Sequence, residues 1–194
     1  MAGCMAVALP IWMGTNGTYF LWTFPNLASK DAAIYLEHYF IKHKINCTIM
    51  EKLYFKIEID ATKEKVWDVV LGETTYPQWT AAFAEGSSVV TDWQKGSRAL
   101  FLNAEGKGMV SEIAEHIPNE YLSIKHLGFY DNGVEDLESE EVKKWNNAYE
   151  NYKLSFLDGK SIFSVEMDTN EEYKSYFLET WPKALNKVKE LAEA

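Results

Sequence analysis

The chain has 194 residues, 47% of them hydrophobic and 14% aromatic, which suits one domain with a sizeable core plus an extension. Its formal charge of -10 argues against nucleic acid or an anionic membrane surface as a partner, because phosphate groups are held mainly by Lys and Arg. Cys4 and Cys47 are the only two cysteines, so nothing after Met50 can form a disulfide, a thiolate nucleophile or a thiolate zinc site. That usage is compatible with a reducing cytoplasm, the expected location.

Charge divides the chain near Met50. The first 49 residues carry +1, which leaves -11 for the remaining 145. The uncharged opening, MAGCMAVALPIWMGTNGTYFLWTF, is interrupted by Pro10, Gly14, Asn16 and Gly17, whereas a spanning helix needs about 20 mainly apolar residues. It also lacks the basic start and small-residue cleavage site of a signal peptide. The segment SKDAAIYLEHYFIKHKI, with Ser29 as N-cap, fits a short amphipathic helix that packs on the main domain or on a second copy, which leaves monomer and homodimer both open. His43 and Cys47 have metal-compatible helical spacing, but two ligands do not make a site, and no metal or other cofactor is expected. We divide the chain into an extension, residues 1–49, and a domain, residues 50–194, with Met50 a candidate start.

From Met50 the patterns are readable. Leu53, Phe55, Ile57 and Ile59 alternate with polar neighbours, the period of a strand with one buried face. Thr62 then caps a helix whose apolar face holds Val66, Trp67, Val69 and Val70 and which Gly72 ends. TTYP reads as a turn and QWTAAFAEG as a second short helix closing at Gly86.

Six strands follow: SSVVTDW, SRALFLN, GMVSEIAEHI, YLSIKHLG, AYENYKLSFL and KSIFSVEMD. The short turns between them, notably Asp158-Gly159, imply antiparallel pairing. The connection from Tyr130 to Asn147 carries Asp131, Glu135, Asp136, Glu138, Glu140 and Glu141; it lacks the register of a calcium loop and reads as a solvated loop with a short helix. A long helix from Asn170 to about Ala192 closes the chain. Its apolar stripe is Tyr173, Phe177, Trp181 or Thr180, Ala184, Val188 and Leu191, and Pro182 is expected to kink it.

The succession KIEIDATKEKVWDVV, YPQWTAAF, DWQKGS, GMVSEIAEHIPNEYLSIKHLG, ENYKLSFLDGKSIFSVEMD and YFLETWPKALNKVKE resembles the START-related superfamily called SRPBCC. Within it, the likeness is to the branch similar to the heat-shock ATPase activator C-terminal domain and the polyketide cyclase-like proteins. It covers Met50 to the end of the chain. These motifs are apolar and aromatic positions with no fixed catalytic set, so they specify fold better than function. The resemblance implies an α+β helix-grip fold, a curved antiparallel sheet wrapped around the C-terminal helix, with an apolar cavity between them. Trp67 then plugs one end of the sheet, and Trp79 and Phe83 belong to the cavity rim. The remaining ligand-binding candidates are Phe101, His126, Tyr152 and Phe163 from the sheet and Tyr173, Phe177 and Trp181 from the helix.

After Met50 the histidines are His116 and His126, on the two arms of one hairpin. Counting through the turn sets His116 opposite Ser123 and His126 opposite Ile113, so the two are not neighbours. No GxSxG is present and no Ser-His-acid triad is evident. If the cavity is catalytic, His126 is the acid or base and Tyr152 the hydrogen-bond donor. The favoured expectation is a non-catalytic cavity for a hydrophobic or aromatic small molecule. The alternatives are a pocket enzyme of the polyketide cyclase or aromatase type, and a stress-related co-chaperone that engages a chaperone and stimulates a heat-shock ATPase.

Overall fold

The computed structural model describes residues 50–194. The readings at Ser29, His43 and Cys47, and of the apolar opening, lie outside the described residues. Strand β1, Met50–Ile59, buries Leu53 and Ile59. Helix α1, Lys63–Leu71, starts where the Oγ1 of Thr62 accepts the Lys65 backbone N–H at 3.3 Å, and it buries the four expected apolar residues. Gly72 ends it with an extended φ of -66°, not the left-handed turn expected of a glycine cap. Glycine is needed there for space, because a Cβ would overlap the Asp68 carbonyl.

Helix α2, Tyr76–Thr80, has Pro77 in its first turn, where a missing N–H costs nothing. The proline therefore starts the second helix, and residues 81–86 are turns where the sequence had suggested more helix. Strands β2 (Ser88–Val90), β3 (Arg98–Leu102), β4 (Lys107–Ile117), β5 (Tyr121–Asp131), β7 (Tyr149–Leu157) and β8 (Lys160–Asn170) correspond to the six expected. A short strand, β6 (Val134–Asp136), was not expected; it pairs with the end of β5 through the Asn132-Gly133 turn, and a 3-10 turn at Val142–Lys144 follows.

The strands form one antiparallel sheet in the order β1-β8-β7-β5-β4-β3-β2, with β6 beside β5. The sheet is curved, and helix α3, Glu171–Glu193, packs against β1, β8, α1 and α2. Asn170 caps α3 through its side chain, which accepts the Tyr173 N–H at 3.2 Å. Thr180, Trp181, Ala184, Leu185, Val188 and Ala192 are buried along one stripe of α3. The expected stripe is displaced at its ends: Tyr173 is exposed, and Phe177 and Leu191 are half-buried. The helix runs unbroken through Pro182, which is exposed beside an exposed Leu178, so water can serve the carbonyl that proline leaves without a donor.

The turn pairs Ile117 with Tyr121, one residue off the register counted from the sequence, and the bulge at Ile113/Glu115 shifts the β4–β5 pair by one more before His126. His116 lies opposite Leu122 and His126 opposite Ser111. His116 is a structural residue. Its Nδ1 is 2.7 Å from the Trp93 carbonyl, and its Nε2 accepts the Trp67 indole N–H at 3.3 Å beneath a stacked indole ring. Trp67 is thereby fixed in the core.

Candidate functional site

A cavity of about 580 Å³ lies inside the sheet, walled by α2, the turn after it, β3 to β5, β7 and Trp181 of α3. Its construction follows from strand periodicity. Along β7, Glu150 and Tyr152 are two residues apart and share a face; along β5, Leu122, Ile124 and His126 do the same. The register sets Leu122 opposite Tyr152 and Ile124 opposite Glu150, so His126 lies one step further along and diagonal to Glu150.

The aromatic wall is tightly interlocked. The Trp79 ring is 6.2 Å from that of Trp181 and 6.5 Å from that of Tyr152, and Trp181 meets Phe83 edge-on at 4.9 Å. Both indole N–H groups are used internally: Trp79 donates to the Val70 carbonyl at 3.1 Å and Trp181 to the Met167 sulfur at 2.9 Å. These rings therefore offer a ligand only apolar faces. Gly108 lets β3 and β4 approach closely at the wall, since a Cβ there would overlap the Phe101 carbonyl across the pair.

Polar chemistry is concentrated in one place. His126 and Ser111 are buried, and the Nδ1 of His126 is 2.9 Å from the Ser111 Oγ. The Nε2 of His126 is 3.8 Å from a Glu150 carboxylate oxygen, close enough for charge attraction but too long for a direct hydrogen bond. The other carboxylate oxygen accepts the Tyr152 hydroxyl. Burial, and then the Glu150 charge, push the Tyr152 hydroxyl well above its ordinary pKa. The same two causes, in the same order, act on Tyr76. Both phenols are therefore neutral hydrogen-bond donors at physiological pH, and neither serves as a base. At the other end, exposed Ser88, Lys107 and Asp131 line the cavity and mark its mouth.

Six of the nine sequence-derived ligand candidates line this cavity: Trp79, Phe83, Phe101, His126, Tyr152 and Trp181. Three do not. Phe163 is fully buried in the core against the Tyr152 ring, Tyr173 is exposed in the first turn of α3, and Phe177 packs on Tyr176. Trp79 is 1% exposed, which makes it part of the wall and not the rim. Sequence reasoning missed Tyr76, Ser111 and Glu150. Glu150 had a signal, since a charge two residues before an inward Tyr152 faces inward too.

Solved proteins share this architecture at low sequence identity. The chain is similar to CalU16 from Micromonospora echinospora, at 14% identity over 74% of this chain and 76% of that one, with a TM-score of 0.54. It is similar to Aha1, solved as a dimer, from Colwellia psychrerythraea, at 15% identity over 74% and 96%, with a TM-score of 0.56. This chain has the helix-grip fold. DynU16, a helix-grip neighbour from the dynemicin biosynthetic locus, matches at 13% identity over 74% of this chain and 47% of its own, with a TM-score of 0.55. No family model matches the chain, and no curated protein does. At such identities the likeness fixes the helix-grip architecture and leaves the ligand to the chemistry of this cavity. Among the described residues no three His, Cys, Asp or Glu converge as metal ligands, and no helix is long and apolar enough to cross a membrane.

Proposed function

We propose that the protein binds a hydrophobic, ring-bearing small molecule in the cavity and releases it unchanged. One observation carries this reading: a cavity of about 580 Å³ is walled by aromatic rings, among them two indoles whose N–H groups are satisfied internally, with a few polar groups gathered at one place. That size and division suit a drug-sized ligand, with the walls supplying affinity and the polar end supplying orientation. The helix-grip likeness to DynU16, from the dynemicin biosynthetic locus, supports the reading.

A second reading, a pocket enzyme, draws on the His126 Nε2 facing Glu150. There the imidazole exchanges a proton with a bound ring while Glu150 stabilises the charge it gains.

The test uses Nile red, a neutral apolar ring dye that brightens out of water. We expect saturable one-site binding to the full chain, abolished by Ala84→Trp, which fills the cavity beside Phe83, with the melting temperature held. Binding unchanged by that plug would place the dye elsewhere and overturn the reading. Ligands recovered chemically altered after incubation would favour the enzyme.

A further inference from the structure

We infer that the cavity is selective for aromatic ligands bearing a protonated amine and discriminates against carboxylates, with Glu150 as the specificity-determining group. This deepens the binding reading and rests on it. The argument begins from the charges that line the cavity. They are Lys107, Asp131 and Glu150, together with the titratable His126. Lys107 lies 3.5 Å from Asp131 at the mouth, so these two offset each other. Glu150 remains. Its side chain is 15% exposed, and among the described residues no Lys or Arg lies within 4.0 Å of its carboxylate. Its one hydrogen-bond donor is the neutral Tyr152 hydroxyl, on one oxygen. A carboxylate so far removed from water gains from a second, charged donor.

The surroundings favour a cation over a neutral donor. Trp79, Trp181, Phe83 and Tyr76 line the same space, and aromatic rings attract an ammonium group. The acidic chain as a whole adds a field that draws cations and repels fatty or aromatic acids. His126 is the competitor, because an imidazolium at 3.8 Å would neutralise Glu150. The titrations are therefore run on the alkaline side of neutral, at pH 8.

The experiment is isothermal titration of the full chain with three ligands that share one bicyclic body: 2-(2-naphthyl)ethylamine, 2-(2-naphthyl)ethanol and 2-naphthylacetate. We expect the amine to bind on the order of 10- to 100-fold tighter than the alcohol, as a charge-assisted hydrogen bond implies, with the carboxylate weakest. In Glu150→Gln, which keeps an acceptor for Tyr152, amine and alcohol should come within about threefold of each other. The inference is overturned, with the binding reading intact, if Nile red binds but the carboxylate equals the amine, if Glu150→Gln keeps the amine preference, or if none of the three ligands binds. If Nile red fails as well, the binding reading falls and takes the inference with it. Should Glu150→Gln not fold, Glu150→Asp takes its place: a preserved ranking supports the carboxylate, and a ranking absent from the unaltered protein overturns it.

Discussion

Replacing Trp181 with alanine probes the wall and the core together. The side chain is 1% exposed and reaches Phe55, Trp79, Phe83 and Tyr152 with ring centroids 4.9 to 6.2 Å away. It also closes one hydrogen bond to the Met167 sulfur. Truncating a buried aromatic to alanine costs about 3–5 kcal/mol, from lost transfer energy plus the void left behind. Domains of this size lose about 2–4 °C of melting temperature per kcal/mol, so Trp181→Ala should melt roughly 6–20 °C lower. The void adjoins the existing cavity, so added indole should raise the melting temperature of the variant more than that of the parent. Thermal denaturation by circular dichroism, with and without indole, measures both. A drop under about 3 °C would refute the view that this ring clamps α3 to the sheet.

Two further predictions follow from other parts of the cavity. The folded protein holds the protons of Tyr76 and Tyr152 above the ordinary tyrosine value of 10.0, while the unfolded chain releases them there. Stability from each is fully present below pH 10 and falls by about 1.4 kcal/mol per pH unit above it. Urea titrations between pH 9 and 11 should show a shallower alkaline loss in Tyr152→Phe than in the parent, while lysine titration acts equally on both; identical slopes would exclude a buried, protonated Tyr152. Gly108→Ala should cost about 1–3 kcal/mol, because its methyl group meets a carbonyl that cannot move without breaking the β3–β4 pairing, and Nile red affinity should change with it. A variant as stable as the parent would mean that the two strands part more easily than their spacing implies.

Much of the fold was legible because its signals are local. Alternation from Leu53 to Ile59 needs only the two-residue period, and Thr62 and Asn170 need only a side-chain oxygen near the first free backbone N–H groups. Asn132-Gly133 carries the same turn signature as Asp158-Gly159, and both take the left-handed backbone that such a hairpin demands. Strand β6 was missed because the run after that turn is short and acidic, which masks its pairing with the end of β5.

What only the tertiary structure decided is depth, register and convergence. Periodicity says which face a residue occupies but not whether that face meets packed core or open space, so Phe101 and Phe163 looked equivalent in the sequence and are not. The stripe on α3 is buried only where the curved sheet and the short helices cover it, which leaves Tyr173 in solvent and puts Trp181 at the centre. A bulge is one extra residue with no sequence mark of its own, yet it decides that His126 meets Ser111 and not Glu112. Glu150 became visible as a polar anchor only when β5 and β7 paired, because a carboxylate acquires that role from the water it has lost and the neighbours it has gained.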